Sequence, residues 1–230
     1  MSKVLGSIKD LSEAKLLLKT DIDIIDLKDP SNGALGRLSN DDINNIVKYV
    51  ANKKLTSSTV GDLPNNIEII KKNVDEISST NVNFIKIGVY KKEYIKTLCD
   101  IKSCKKLIAV FFADIFLPSS KDIKKLKNSS FSGVMIDTSN KKSGNLLDHV
   151  SYSDIGDFLK IAKNFKLLTG VAGSINETHL DELIKLNPDY MGFRGALCEI
   201  SSIRNSNIST KNVNHILDII KNQKKIAINA

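Results

Sequence analysis

One pattern of hydrophobic and polar positions recurs along the chain: a short β-branched run, a polar turn, then an amphipathic stretch. The apolar runs predict eight strands, at Lys3–Ser7, Asp23–Lys28, Leu55–Val60, Asn83–Val89, Leu107–Phe112, Gly133–Asp137, Leu167–Val171 and Asp189–Arg194. The stretches between and after them predict helices over Leu11–Leu18, Asp41–Asn52, Asn66–Ser78, Lys92–Ile101, Lys121–Leu126, Ser153–Asn164, Glu177–Leu186 and Lys211–Asn222. In the third helix Ile67, Ile70, Val74 and Ile77 recur at the spacing of one buried face, and Val213, Ile216, Ile219 and Ile220 do so in the last. Asn176 with Glu177 and Thr178, and Ser153-Asp154, read as helix starts. Strand–helix alternation calls for parallel strands joined by right-handed crossovers. Eight repeats in 230 residues favour an α/β fold closed as one (β/α)8 TIM barrel, a single domain over residues 1–230, above an open doubly wound sheet.

Composition narrows the class. Hydrophobic residues at 41% and charged residues at 26% are those of a packed globular chain rather than a disordered one. No apolar run approaches the roughly 18 residues of a membrane span, and Met1–Ser7 turns polar too early for a signal peptide. A cytoplasmic protein with no membrane partner is the expectation. Cys99, Cys104 and Cys198 have no CxxC spacing, which argues for free thiols rather than a disulfide framework or zinc site. His149, His179 and His215 are far apart in the sequence, so no metal site is expected. The net charge of +8 comes from lysines scattered through nearly every segment, without a basic stripe interleaved with aromatics. Nucleic acid is therefore not an expected partner, whereas a positive field favours anionic substrates such as sugar phosphates.

In such a barrel the chemistry sits at strand carboxyl ends. Side chains alternate along a strand, so in Ile24-Ile25-Asp26-Leu27-Lys28 the two charged residues share the inward face. Opposite charges at that depth are costly unless paired or functional; a structural ion pair at the rim is the alternative. Lys86 interrupts the apolar strand Phe84-Ile85-Lys86-Ile87-Gly88 in the pattern of an inward lysine, where burial would lower its pKa; an edge-strand lysine is the alternative. The sixth strand ends at Asp137-Thr138, followed by Lys141. Alternate strands feed the same interior layers, so Lys28, Lys86, Asp137 and Lys141 are expected to converge, with Asp26 and Asp137 serving proton transfer and charge balance. Neighbouring lysines depress each other's pKa, which activates one for imine formation. Gly173, Ser174, Gly195 and Ala196, small residues after the last two strands, suit a phosphate cradle, with Arg194 adding a charged contact; plain turns are the alternative. Asp62 and Asp114 also fall at the mouth, equally suited to substrate hydroxyls or to a helix start or turn.

These blocks occur in one order: Asp21–Pro30 with Gly33–Gly36, Val60–Pro64, Ile85–Tyr90, Asp137-Thr138 with Lys141, Leu147–His149, Ala172–Ile175, and Arg194–Ala196 with Cys198. Together, from near Val4 to about Ile220, the chain resembles the (5-formylfuran-3-yl)methyl phosphate synthase family of methanofuran biosynthesis. The resemblance implies a lyase-type barrel that forms a Schiff base, needs no metal or organic cofactor, and condenses two molecules of glyceraldehyde 3-phosphate. By position it implies Lys28 as the Schiff-base lysine and Lys86 as proton acceptor, with Asp26, Asp137 and Lys141 as further active-site residues. It also implies a homo-oligomer. The loop Lys142-Ser143-Gly144-Asn145 departs from the Asp-Gly-Lys-Thr often found in relatives, and Leu107–Phe112 is bulkier than usual. The competing readings are a class I aldolase acting on another sugar phosphate and a non-catalytic barrel that binds a phosphate ligand.

Overall fold

Strand β1 (Lys3–Ile8) pairs with β2 (Ile24–Leu27) on one side and with β8 (Tyr190–Phe193) on the other, and that second pairing closes the sheet. In this computed structural model, which describes residues 2–201 and 203–228, the remaining strands follow in chain order: β3 (Leu55–Thr59), β4 (Phe84–Val89), β5 (Lys106–Phe112), β6 (Phe131–Asp137) and β7 (Leu168–Val171). Met1, Ser202 and residues 229–230 of the expected domain lie outside the described residues. All neighbouring strands are parallel, so every connection crosses over, and each carries a helix on the outside. The helices are α1 (Leu11–Leu17), α2 (Asn40–Val50), α3 (Ile67–Ser78), α4 (Tyr94–Cys99), α5 (Ser120–Lys127), α6 (Tyr152–Asn164), α7 (Leu180–Lys185) and α8 (Thr210–Ile228). The fold is a (β/α)8 barrel; the open sheet is excluded by the register Lys3↔Tyr190 through Gly6↔Phe193.

Strand alternation sorts the core into two shells. Ile25, Leu27, Ile85, Ile87, Phe111, Val134 and Ile136 face outward and pack beneath the helices. Leu5, Ile24, Ile108, Val110, Met135 and Tyr190 face inward and fill the barrel's interior. Interior apolar packing gives way toward the carboxyl ends, where Asp26, Lys28, Lys86 and Asp137 are all buried.

Helix ends differ from expectation where capping outweighs periodicity. Ser151 caps α6 with Asp154 three residues on in a capping box, so that helix begins before Ser153. Asn176 caps a 3-10 turn (Glu177–His179) before α7, rather than a continuous α-helix. The helix expected over Lys92–Ile101 is a shorter α4 whose first residue has no side-chain cap.

Candidate active site

Asp26 on the inner face of β2 and Lys28, the first residue beyond that strand, share a side as alternation predicts, but they do not pair with each other. Asp26 pairs with Lys86 of β4, Nζ to Oδ2 2.6 Å. The register explains how. Ser7 and Ser57 lie level with Asp26 on the two flanking strands. Each donates its hydroxyl to the Asp26 carboxylate, at 2.8 and 2.6 Å. Lys86 reaches across β3 to complete the shell around this fully buried carboxylate. Three donors compensate the desolvation that would otherwise oppose a charge at this depth.

Lys28 points instead toward β6, its Nζ 4.0 Å from Asp137 Oδ2. The other oxygen of Asp137 is taken by the Lys141 ammonium and by the Thr138 amide. Lys141 also donates to Thr138 Oγ1 at 3.0 Å. Burial pushes Lys28 down to about 7; Asp137 opposes that, while Lys141, Lys86 and Arg204 push the same way. Burial works to raise Asp137, but Lys141 and Lys28 outweigh it and hold the carboxyl at about 2. Burial also lowers Lys141, against the pull of Asp137. Lys28 is thus a buried amine that gives up its proton far more easily than a free lysine, beside a carboxylate that stays ionised. A neutral amine of this kind can attack a carbonyl carbon.

Lys28, Lys86, Asp137 and Lys141 line one cavity of about 350 Å3, which also includes Gly173, Ser174, Gly195 and Ala196 on its β7–β8 side. Gly173 has φ +111°, where a side chain is strained, and a Cβ there would lie 3.1 Å from Thr138 Cγ2. The next residue, Ser174, has φ +52° and also lines the cavity. Gly195 and Ala196 open a 3-10 turn (Gly195–Leu197), whose first amides have no acceptor within the turn. Gly173, Ser174, Gly195 and Ala196 thus share one wall of the cavity.

Arg194 departs from expectation. Its guanidinium makes a two-pronged contact with buried Glu13 of α1, at 2.5 and 3.1 Å, and donates to the Ser7 and Ser206 carbonyls. Nε goes to the Arg204 carbonyl at 2.8 Å. Arg194 borders the cavity, but its donors are committed to protein acceptors. Among the described residues, Arg204, in the loop after β8, lines the same cavity and its side chain makes no hydrogen bond or ion pair. Sequence reasoning passed over it, although it is the only Lys or Arg between Arg194 and Lys211. Ser7 and Ser57 were missed too; the hydroxyl-rich run Thr56–Thr59 in an interior strand was the available signal.

Asp62 and Asp114 hold loops. Asp62, after β3, accepts from the amides of Ala34 and Leu35 at 2.7 and 2.8 Å and from the Tyr90 hydroxyl. Burial and then this carboxylate push the Tyr90 phenol far up, so it remains a donor. Asp114, after β5, accepts from the amides of Ser139 and Asn140 at 2.7 and 2.8 Å and from the Ser139 hydroxyl.

A family model described as 4-HFC-P synthase matches residues 4–217. A Methylorubrum extorquens chain provisionally named (5-formylfuran-3-yl)methyl phosphate synthase is 32% identical over 203 residues, covering 88% of this chain and 85% of its own length. The (5-formylfuran-3-yl)methyl phosphate synthase of Archaeoglobus fulgidus is 30% identical, covering 86% of this chain and 91% of the relative. Among solved structures, phosphoribosyl anthranilate isomerase from Thermus thermophilus superposes with a TM-score of 0.65 at 13% identity, covering 96% of this chain and 98% of that one. That likeness is one of fold.

Proposed function

The chain belongs to the 4-HFC-P synthase family, and from that membership we propose that it makes (5-formylfuran-3-yl)methyl phosphate from two molecules of glyceraldehyde 3-phosphate through an imine on Lys28. The observation that carries the mechanism is the Lys28 amine, lowered to about 7 and facing Asp137 in a cavity that also holds Lys86.

Neutral Lys28 Nζ attacks the carbonyl carbon of the first triose, and water leaves as the iminium forms. The cationic nitrogen draws electrons, so the adjacent C–H becomes acidic. Lys86 carries that proton, with Asp26 beside it to balance charge. The enamine carbon then attacks the aldehyde of the second triose, and Lys141 protonates the oxygen that results, helped by Asp137. Elimination of phosphate, hydrolysis of the imine and loss of water give the aromatic ring. Over the cycle two trioses yield one furan phosphate, one inorganic phosphate and two waters. No electrons enter or leave, so the sequence needs no redox cofactor, and the lysine itself is the electron sink. The broken carbon–oxygen bond to phosphate makes the enzyme a lyase. On this reading the protein works in the cytoplasm, as a homo-oligomer, in methanofuran biosynthesis. No helix among the described residues is long and apolar enough to cross a membrane.

Product analysis tests the reading. With glyceraldehyde 3-phosphate as sole substrate, the expected products are a furan aldehyde bearing one phosphate and an equal amount of inorganic phosphate. A six-carbon adduct that keeps both phosphates would point to a class I aldolase instead.

A further inference from the structure

We propose that the open cavity at the barrel mouth, between the loops after β2, β6 and β8, is the subsite for the phosphate of the second triose phosphate. The inference rests on the reading that two triose phosphates meet on Lys28. Each phosphomonoester carries about −1.5 to −2 charge near neutral pH. Two such groups repel unless they are held apart and each faces its own cations. On that reading the turns after β7 and β8, which wall the inner cavity, take one of them. The mouth cavity, of about 400 Å3, is a distinct space on the far side of Lys141 and Arg204, which line both.

Its lining carries Lys141, Lys142 and Arg204 and no carboxylate. In the loop after β2, Asp29 is turned onto the Ser31 amide and hydroxyl, and in the loop after β6, Asp148 is turned onto Asn145; Asp62 and Asp114, from the neighbouring strand ends β3 and β5, hold the β2 and β6 loops. Lys141 shares Asp137 with Lys28. Among the described residues Lys142 and Arg204 make no ion pair, although the Asp137 carboxylate acts on Arg204 from the inner cavity. Arg204 is held at the boundary because its carbonyl accepts from Arg194 Nε, and Arg194 is itself fixed by Glu13. A cavity lined by cations and by no carboxylate, sharing Lys141 and Arg204 with the imine cavity, is chemistry for a phosphate brought alongside the first one.

Lys142 gives the discriminating test, because it lines the mouth cavity and not the inner one, and it is exposed, so its replacement leaves the fold intact. Wild type, Lys142→Glu and Arg204→Gln are each given glyceraldehyde 3-phosphate. Borohydride-trapped adduct and furan formation are measured against substrate concentration. The expected result for Lys142→Glu is a wild-type trapping curve with a KM for furan formation raised ten-fold or more. Arg204→Gln, at the boundary, should weaken both. Unchanged KM in both variants overturns the subsite, and so does a Lys142→Glu trapping curve shifted as far as its KM. Absence of any trapped adduct in wild type is a different outcome, which removes the Lys28 imine itself.

Discussion

At the scale of residues, the two lysines are set apart by their partners. Lys86 is in contact with Asp26, whereas Lys28 shares a carboxylate with Lys141 at 4.0 Å. This division was half legible in the sequence. Alternation along β2 and β4 put both lysines and Asp26 on the inner face, but it left an Asp26–Lys28 ion pair open as the alternative. Partner choice depends on the register of neighbouring strands, which no local pattern encodes. A pH profile reads the consequence. Lys28 must lose its proton to attack, so kcat/KM should rise with pH and level off above about 7. Lys141 pushes Lys28 down and also occupies Asp137, which pulls Lys28 up. Lys141→Met removes the push and frees the pull, so the acid limb should move to higher pH, by about one unit. A limb that stays in place or moves down contradicts the electrostatic account.

At the scale of elements, odd strands serve even ones. Asp62 at the end of β3 clamps the loop that follows β2, and Asp114 at the end of β5 clamps the loop that follows β6. Lys28 and Lys141 belong to the clamped segments, so both are steadied from a neighbouring strand. Gly33 belongs to this device: its φ is +78°, and a Cβ there would collide with the Asp62 carboxylate. Two roles were open for these aspartates in the sequence, because a carboxylate after a strand looks the same whether it faces a ligand or a loop. The structure decides by showing backbone amides as the partners. Asp62→Ala should cost about 1–3 kcal/mol and, in hydrogen exchange, strip protection from the amides of Ala34 and Leu35 while leaving β2 protected. Full protection of those two amides in the variant would falsify the clamp.

At the scale of the whole molecule, closure is the feature the sequence states least directly. Strand–helix alternation is written locally, since each strand's outer face needs a helix to cover it. Whether β8 returns to β1 is a contact between chain ends, and an open sheet shows the same local signs. Beside that seam lies the buried pair Arg194–Glu13, which ties the end of β8 to α1 and also holds the Ser7 carbonyl of β1. Arg194 was expected at a phosphate because it follows β8 among small residues; a glutamate one helix after β1 gave no local hint of reaching it. Glu13→Gln leaves a buried guanidinium without its countercharge, at a cost of about 3–5 kcal/mol. Thermal unfolding should drop by on the order of 10 °C. An unchanged Tm would show that the seam does not depend on this pair.

The claim on which the rest depends is that Lys28 forms the covalent adduct and Lys86 moves protons after it. The direct measurement is peptide mass mapping after borohydride reduction in the presence of glyceraldehyde 3-phosphate, on wild type, Lys28→Arg and Lys86→Arg. The account predicts a reduced triose adduct on the Lys28 peptide of wild type. It predicts the same adduct on Lys86→Arg, with furan formation lost, and no adduct on Lys28→Arg, because arginine stays protonated. An adduct that persists in Lys28→Arg and maps to Lys86 would reverse the two roles and contradict the account.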